Sequence, residues 1–434
     1  MAEQTTAAEP MGIKWGPIRL LSGITQLNMG TYLFGAGLTM LLATFIPQAQ
    51  PFILTEILRI PHVQQGQVSG YLGLAHTLVA VIMPGIWGTL SDRTSRRIVY
   101  ALGLMIAAIG IATYPLAATI VALLLFRMLF SAGISAANTM NNALLGDYVA
   151  PGDRGKAYGI VSVSGGLGAL ITVFVLLRLP AIFQEMGLSP VAAGRYTFWV
   201  AALIALLGTL VVINGLVGRP QQQAEKRSVV QIAREALHAA ATNPNILLAY
   251  GVNFVASGTL SAMGTFFSLW LVNYGVTQAG ITSAEALARA GMIIGLAQIV
   301  GLVASPFFGV LSDRFGRVRS VILATSLTAV VFAATLLISN PLSGTIFVLG
   351  VFLGLAQVSG IITGGALIAH HAPESVRGAV MGFYGFCGSL GIMLVFVLGG
   401  WLFDRWLYQG PFVLVAILCL VVTIWGFLVN KRKS

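Results

Sequence analysis

Over 434 residues the chain is 57% hydrophobic and only 9% charged, with a mean hydropathy of +0.89. Too little polar surface remains for a water-soluble globule, so a lipid bilayer is the main solvent. The formal charge of +11 is scattered over connections between apolar runs, as membrane topology alone produces, and this argues against a nucleic-acid partner.

In chain order, residues 1–28 read as an N-terminal tail with an amphipathic segment. Residues 1–10 carry Glu3 and Glu9 where a cleavable signal would be basic, so the first apolar run is expected to insert itself. A hydrocarbon core of ~30 Å needs roughly 20 apolar residues per helix. Such runs occur near 29–57, 67–90, 98–117, 119–146, 155–178 and 196–217, forming a first six-helix bundle over 29–217. Residues 218–244 turn polar and read as a linker, with Ser228 placed to cap a short amphipathic helix through Ala241. Further apolar runs near 246–274, 287–311, 318–338, 344–369, 378–402 and 410–430 give a second bundle over 245–430, and 431–434 is a basic tail. The fold class is therefore an all-α integral membrane protein, twelve transmembrane helices in two six-helix bundles around a central cavity. With the N-terminus inside, 18 of the 24 Lys and Arg residues fall in inner segments, which predicts that both termini are cytoplasmic.

The stretch Gly88-Thr-Leu-Ser-Asp92-Arg93-Thr-Ser95-Arg96-Arg97 recurs 221 residues later as Gly309-Val-Leu-Ser-Asp313-Arg314-Phe-Gly316-Arg317-Val-Arg319, each time between two apolar runs. A charged hairpin repeated in this way marks a duplicated membrane protein. The pattern resembles the major facilitator superfamily of secondary transporters, in which the motif joins helices 2 and 3 and again helices 8 and 9. Ser95 departs from that family, which has Gly there, and a turn of positive φ would be less comfortable at this position. Further echoes are Asp147, the pair Pro151-x-x-Arg154-Gly155 and Pro373-x-x-x-Arg377-Gly378, and Gly399-Gly400-Trp-Leu-Phe-Asp404-Arg405. The resemblance implies that Asp92, Arg96 and Asp147 form a gating latch on the inner side that favours the outward-open state, with Asp313 and Arg317 at the matching place in the second half. There the position matching Asp147 falls at Ala369 or His370, so that latch lacks its acid.

On helix 4, Arg127, Ser131, Ser135, Asn138 and Asn142 are spaced 4, 4, 3 and 4 apart. At about 100° per residue this keeps all five within a stripe of roughly 80°. Helix 7 repeats the spacing with Asn253, Ser257, Ser261, Gly264 and Ser268. The resemblance implies that helices 1, 4, 7 and 10 line the cavity, which adds Thr44, Gln48 and Gln357, with the aromatics Phe266, Phe267, Trp270, Phe383 and Tyr384 as further candidates. Small polar residues also pack helix on helix, so the Ser and Gly positions stay open between packing and substrate contact. A guanidinium inside a span is costly and usually functional, which singles out Arg127.

No carboxylate sits at mid-depth to carry a proton, leaving Glu56 near the end of helix 1 and His76 in helix 2 as coupling candidates. No Gly-x-x-x-x-Gly-Lys-Ser/Thr loop occurs, which excludes ATP drive. The adjacent His370 and His371 lack further ligands for a metal site, and Cys387 and Cys419 fall inside helices. The expected function is secondary active transport of a small amphipathic organic solute or organic anion. Protons are the expected coupling ion, the chain acts as a monomer in the bilayer, and neither cofactor nor enzymatic activity is expected. A multidrug/proton exporter, an uncoupled facilitator and a non-transporting membrane assembly factor are the alternatives. The Gly-Pro-rich run of the family's antiporters is absent from helix 5, which reads Gly165-Gly166-Leu-Gly168.

Overall fold

A computed structural model describes residues 11–218 and 229–431. Twelve helices are long and apolar enough to cross a membrane, numbered here as spans 1–12. The first half holds Gln26–Ile57, His62–Arg93, Arg96–Leu116, Ile120–Tyr148, Pro151–Glu185 and Pro190–Gly215. The second holds Pro244–Thr277, Ser283–Phe315, Arg317–Leu337, Thr345–His371, Glu374–Arg405 and Gly410–Lys431. The chain is an all-α membrane protein of two six-helix bundles, and an even number of spans returns both ends of the described chain to one side. That side is called the terminus side below, and the opposite one the far side.

Local chemistry sets the helix starts. Thr25 caps span 1 in a reciprocal box with Asn28, while Thr119, Ser189 and Thr282 each accept a backbone N–H three residues on. Spans 1 and 7, which open the two halves, each carry a π-helical segment, Ile53–Ile57 and Ala262–Phe267, toward the far side. Close packing also repeats between halves. A Cβ on Gly168 of span 5 would strike the Gly37 carbonyl of span 1, and one on Gly391 of span 11 would strike the Phe254 carbonyl of span 7. Only glycine lets these backbones approach so closely.

One feature differs from expectation. Within the segment assigned to residues 1–28, residues 11–21 form a β-hairpin, β1 (Met11–Trp15) and β2 (Ile18–Leu21), turning at Gly16 and Pro17, and residues 26–28 already belong to span 1. The hairpin clasps the connection between spans 4 and 5: Leu20 pairs with Val149, the Ala150 N–H donates to the Arg19 carbonyl, and the Arg19 N–H donates to Asp153 at 3.0 Å. Ile18 and Leu20 are buried beneath it. The linker does contain a helix, Val229–Thr242, which packs Ala236, Ala239 and Ala240 against the second half. Its expected cap at Ser228 lies outside the described residues.

Candidate functional site: the substrate path and its two ends

Among the described residues, the hydrogen bonds that join the halves lie on the far side. The Asp404 carboxylate at the end of span 11 accepts from the Gly66 and Gln67 N–H groups at 2.8 and 2.7 Å, in the first turn of span 2. Backbone N–H groups at a helix start lack partners of their own and carry the positive end of the helix dipole, so the carboxylate supplies both bonds and opposite charge. Glu56 of span 1 accepts from the Ser283 hydroxyl at the start of span 8 at 2.5 Å, and His62 bonds Asn273 at 2.9 Å. Glycines tighten the seam: a Cβ on Gly66 of span 2 would lie 2.7 Å from the Gly400 carbonyl of span 11, one on Gly400 2.5 Å from the Gly66 carbonyl, and one on Gly291 of span 8 2.7 Å from the Val173 carbonyl of span 5.

The terminus side is the reverse. Gly85 and Gly88 on span 2, Gly155 and Gly159 on span 5, Gly309 on span 8, and Gly378, Gly382 and Gly385 on span 11 all have open space where a Cβ would stand. These are the same four spans that touch at the far side. The halves therefore part toward the terminus side.

The polar stripes record this parting. On span 4 Arg127, Ser131 and Ser135 are buried, whereas Asn138 and Asn142, on the same face nearer the terminus side, are exposed. On span 7 Ser261 and Ser268 are buried while Asn253 and Ser257 are half-buried. Burial changes with depth along one face, which is what a vestibule closed at one end produces.

Arg127 is 1% exposed, and its Nε and Nη1 have no hydrogen-bond partner. The expected amides and hydroxyls of its own stripe do not bond these two nitrogens: Ser131 donates to the Arg127 carbonyl at 2.6 Å, and Ser135 Oγ is itself without a partner. The guanidinium carbon lies 5.6 Å from the Phe130 ring centroid, a cation–π contact that answers only part of a buried charge. Gln48 is buried with an unpartnered Oε1. His76 reaches into the same region from span 2, its Nδ1 2.6 Å from Ser131 Oγ. Since that hydroxyl donates to the Arg127 carbonyl, His76 Nδ1 carries the hydrogen and Nε2 is left as an acceptor.

Other candidates are engaged in packing. Thr44 bonds the Met40 carbonyl of its own helix and Thr172 of span 5. Asn253 donates to the Tyr384 carbonyl of span 11 at 2.7 Å, and Ser257 donates to Asn253. Ser261 bonds the Gly258 carbonyl, and Gln357 is half-buried. Phe266, Phe267 and Trp270 are buried against Phe396, Phe403 and Phe412 of the second half. Phe383 packs on Tyr250.

At the first hairpin Arg96 Nε bonds Asp147 at 3.1 Å, while Nη1 bonds Ser91 at 2.5 Å and Asp92 at 3.2 Å. Asp147 is nearly buried, whereas the Asp92 side chain is 42% exposed. All four groups belong to the first half, and the network is intact while the terminus side is open. It therefore does not by itself tie the two halves together. Ser95 avoids a positive φ altogether: its backbone is extended and its hydroxyl caps span 3 by accepting from the Ile98 N–H.

The second hairpin is poorer. Arg317 lies 3.5 Å from Asp313, whose side chain is 71% exposed, and turns Nη1 to the Ala366 carbonyl at 3.1 Å. Arg154 and Arg377 each bond a carbonyl eight residues back, Gly146 and Ala369, both at 2.9 Å. This shared bond aligns Gly146 with Ala369, so the residue standing where the first half has Asp147 is His370. Among the described residues no three His, Cys, Asp or Glu side chains gather as a metal site.

The Major Facilitator Superfamily model matches residues 31–303 and 280–434. The chain belongs to this superfamily. It is similar to the magnetosome protein MamH of Paramagnetospirillum magneticum, with 27% identity over 93% of this chain and 92% of that protein. It is also similar to the multidrug resistance protein MdtG of Citrobacter koseri, 25% identical over 96% of this chain and 98% of that one. Among solved structures, the nucleoside transporter NupG superposes with a TM-score of 0.75 at 15% identity, over 92% of this chain and 99% of that one. A bacterial homolog of the lysosomal transporter Spinster, in an inward-facing and unoccupied conformation, gives 0.70 at 17% identity over 94% and 98%. These superpositions establish the superfamily fold. Of the residues that position the halves, Asp404 was visible in the sequence only as a helix-end acid; its partners become evident once spans 2 and 11 are side by side.

Proposed function

We propose that this superfamily member is a secondary active transporter for a small organic anion or amphipathic solute. It lies in the plasma (bacterial inner) membrane with both termini in the cytoplasm, so the arrangement described above is inward-open. The observation that carries this reading is Arg127, a buried cation with two unpartnered nitrogens at the closed end of a polar stripe that runs out to the vestibule. A charge at this depth costs about 2.5–3.5 kcal/mol on insertion scales and persists where something neutralises it during function. An anionic substrate group provides that partner, and the planar fork of Arg suits a carboxylate or phosphate. His76, whose Nε2 is left as the acceptor nitrogen, is the proton carrier in this scheme, and Glu56 is tied instead to the far-side seam. Asp92, Arg96 and Asp147, already bonded to one another, form a latch by offering the half-exposed Asp92 carboxylate to the second half when the terminus side closes.

The test is transport in proteoliposomes. Arg127→Ala should abolish uptake of the organic anion while the melting point stays near that of the parent, and Arg127→Lys should restore little. Normal transport by Arg127→Ala overturns the reading. A second reading, drug export driven by protons, draws on the similarity to MdtG along nearly all of both chains. Cationic or neutral drugs moved outward by the Arg127→Ala variant would favour it.

A further inference from the structure

Where the first hairpin is internally satisfied, the second leaves three groups wanting the same kind of partner. In the first half the Asp147 carboxylate holds Arg96, Ser91 bonds Arg96, and Ser95 caps span 3. In the second half the acid is replaced by His370. Ser312, the counterpart of Ser91, is 1% exposed with an unpartnered Oγ, and the start of span 9 at Gly316 has no side-chain cap. All three border one cavity of about 330 Å³, lined by Ser312, Asp313, Gly316, Arg317, Val318, His370 and His371.

We infer that this cavity is an oxyanion-binding site, and that a phosphate group supplied from outside the chain takes the place that the Asp147 carboxylate occupies in the first half. Such a group can accept from Arg317, from the Ser312 hydroxyl, from the His370 imidazole and from the free N–H groups at the start of span 9, where the helix dipole also favours negative charge. Arg317 donates one nitrogen to a neutral carbonyl and lies 3.5 Å from an exposed Asp313, so it retains donors for a stronger partner. Among the described residues that line the cavity, Asp313 is the one acid, and at 71% exposure it sits in water, where its repulsion is screened. His371 donates from Nδ1 to the Leu367 carbonyl and contributes to the cavity wall only. The phosphate comes either from an anionic lipid headgroup at the membrane surface or from soluble phosphate. Both present the same oxygens.

The experiment follows the melting point of the full chain, in detergent, with inorganic phosphate titrated against chloride at matched ionic strength. In parallel, the protein is compared in nanodiscs of phosphatidylglycerol and of phosphatidylcholine. Phosphate in detergent, or the anionic lipid in nanodiscs, should raise the melting point saturably by about 2 °C or more. A response to lipid without one to free phosphate assigns the headgroup, and a response to phosphate in both settings assigns the soluble ion. His370→Asp restores the missing carboxylate and should remove the response while melting no lower than the unliganded parent. Ser312→Ala should weaken it severalfold. No response in either setting, or an undiminished one in both variants, overturns the site.

Discussion

The two ends of the molecule hold their halves by different chemistry. At the far side, acids on one half meet helix starts of the other: Asp404 caps span 2, and Glu56 meets Ser283 at the head of span 8. On the terminus side the acids meet cations of their own half, Arg96 with Asp92 and Asp147, and Arg317 with Asp313. In the state described, then, the far side spends its carboxylates on closure, while the terminus side keeps its charges within each bundle. The difference teaches that a charged motif between spans can be fully bonded and still leave a gate open. Whether it closes the gate depends on which helix end the carboxylate faces.

The largest effect should come from Gly70→Leu. A Cβ at Gly70 would run into the Phe396 carbonyl, a backbone atom that cannot swing aside, so the far side should stay parted. A cysteine placed at Asn142, in a background lacking Cys387 and Cys419, should then label far more slowly from the terminus side, and transport should cease. Asp404→Ala comes next. It leaves two helix-start N–H groups unpaired, each charge-assisted bond being worth about 1.5–3 kcal/mol, and should move the balance toward far-side opening by about a hundredfold by the same labelling. If neither variant changed labelling, the far-side seam would be incidental to closure. The smallest effect belongs to Asp92→Asn. Its bond to Arg96 is half-exposed and Arg96 keeps Asp147, so stability should fall by less than about 1 kcal/mol. Transport should still fall, with labelling at Asn142 rising, because the state that closes the terminus side loses its contact. Unaltered transport would reduce the first hairpin to a topology signal.

Much of this architecture was legible from hydropathy, because a span is a local property of some twenty residues. The edges moved outward where helices continue past the apolar run: span 5 was expected over 155–178 and extends over Pro151–Glu185. The hairpin at 11–21 left a signal that went unread, since Lys14-Trp15-Gly16-Pro17-Ile18-Arg19 places a two-residue turn between alternating strands. At the site, Arg127 was legible from the cost of its charge. That Thr44 and Asn253 serve contacts between helices was not, because a hydroxyl or amide at helical spacing looks the same whether its neighbour is a helix or a solute. Asp404 was illegible as a seam for a stronger reason: its partners lie 337 and 338 residues away in the chain.

The N-terminal hairpin has a consequence for how the first half moves. By bonding Ala150 and Asp153, and by lying under Lys156, which donates to the Pro17 carbonyl, it splints the joint between spans 4 and 5 to the lead-in of span 1. Span 1 is separated in the chain from the consecutive spans 4 and 5, yet at the terminus side the three share one brace. The brace ties the terminus-side ends of these spans to one another, whereas the π-helical segments of spans 1 and 7, where the helices are more loosely wound, lie toward the far side.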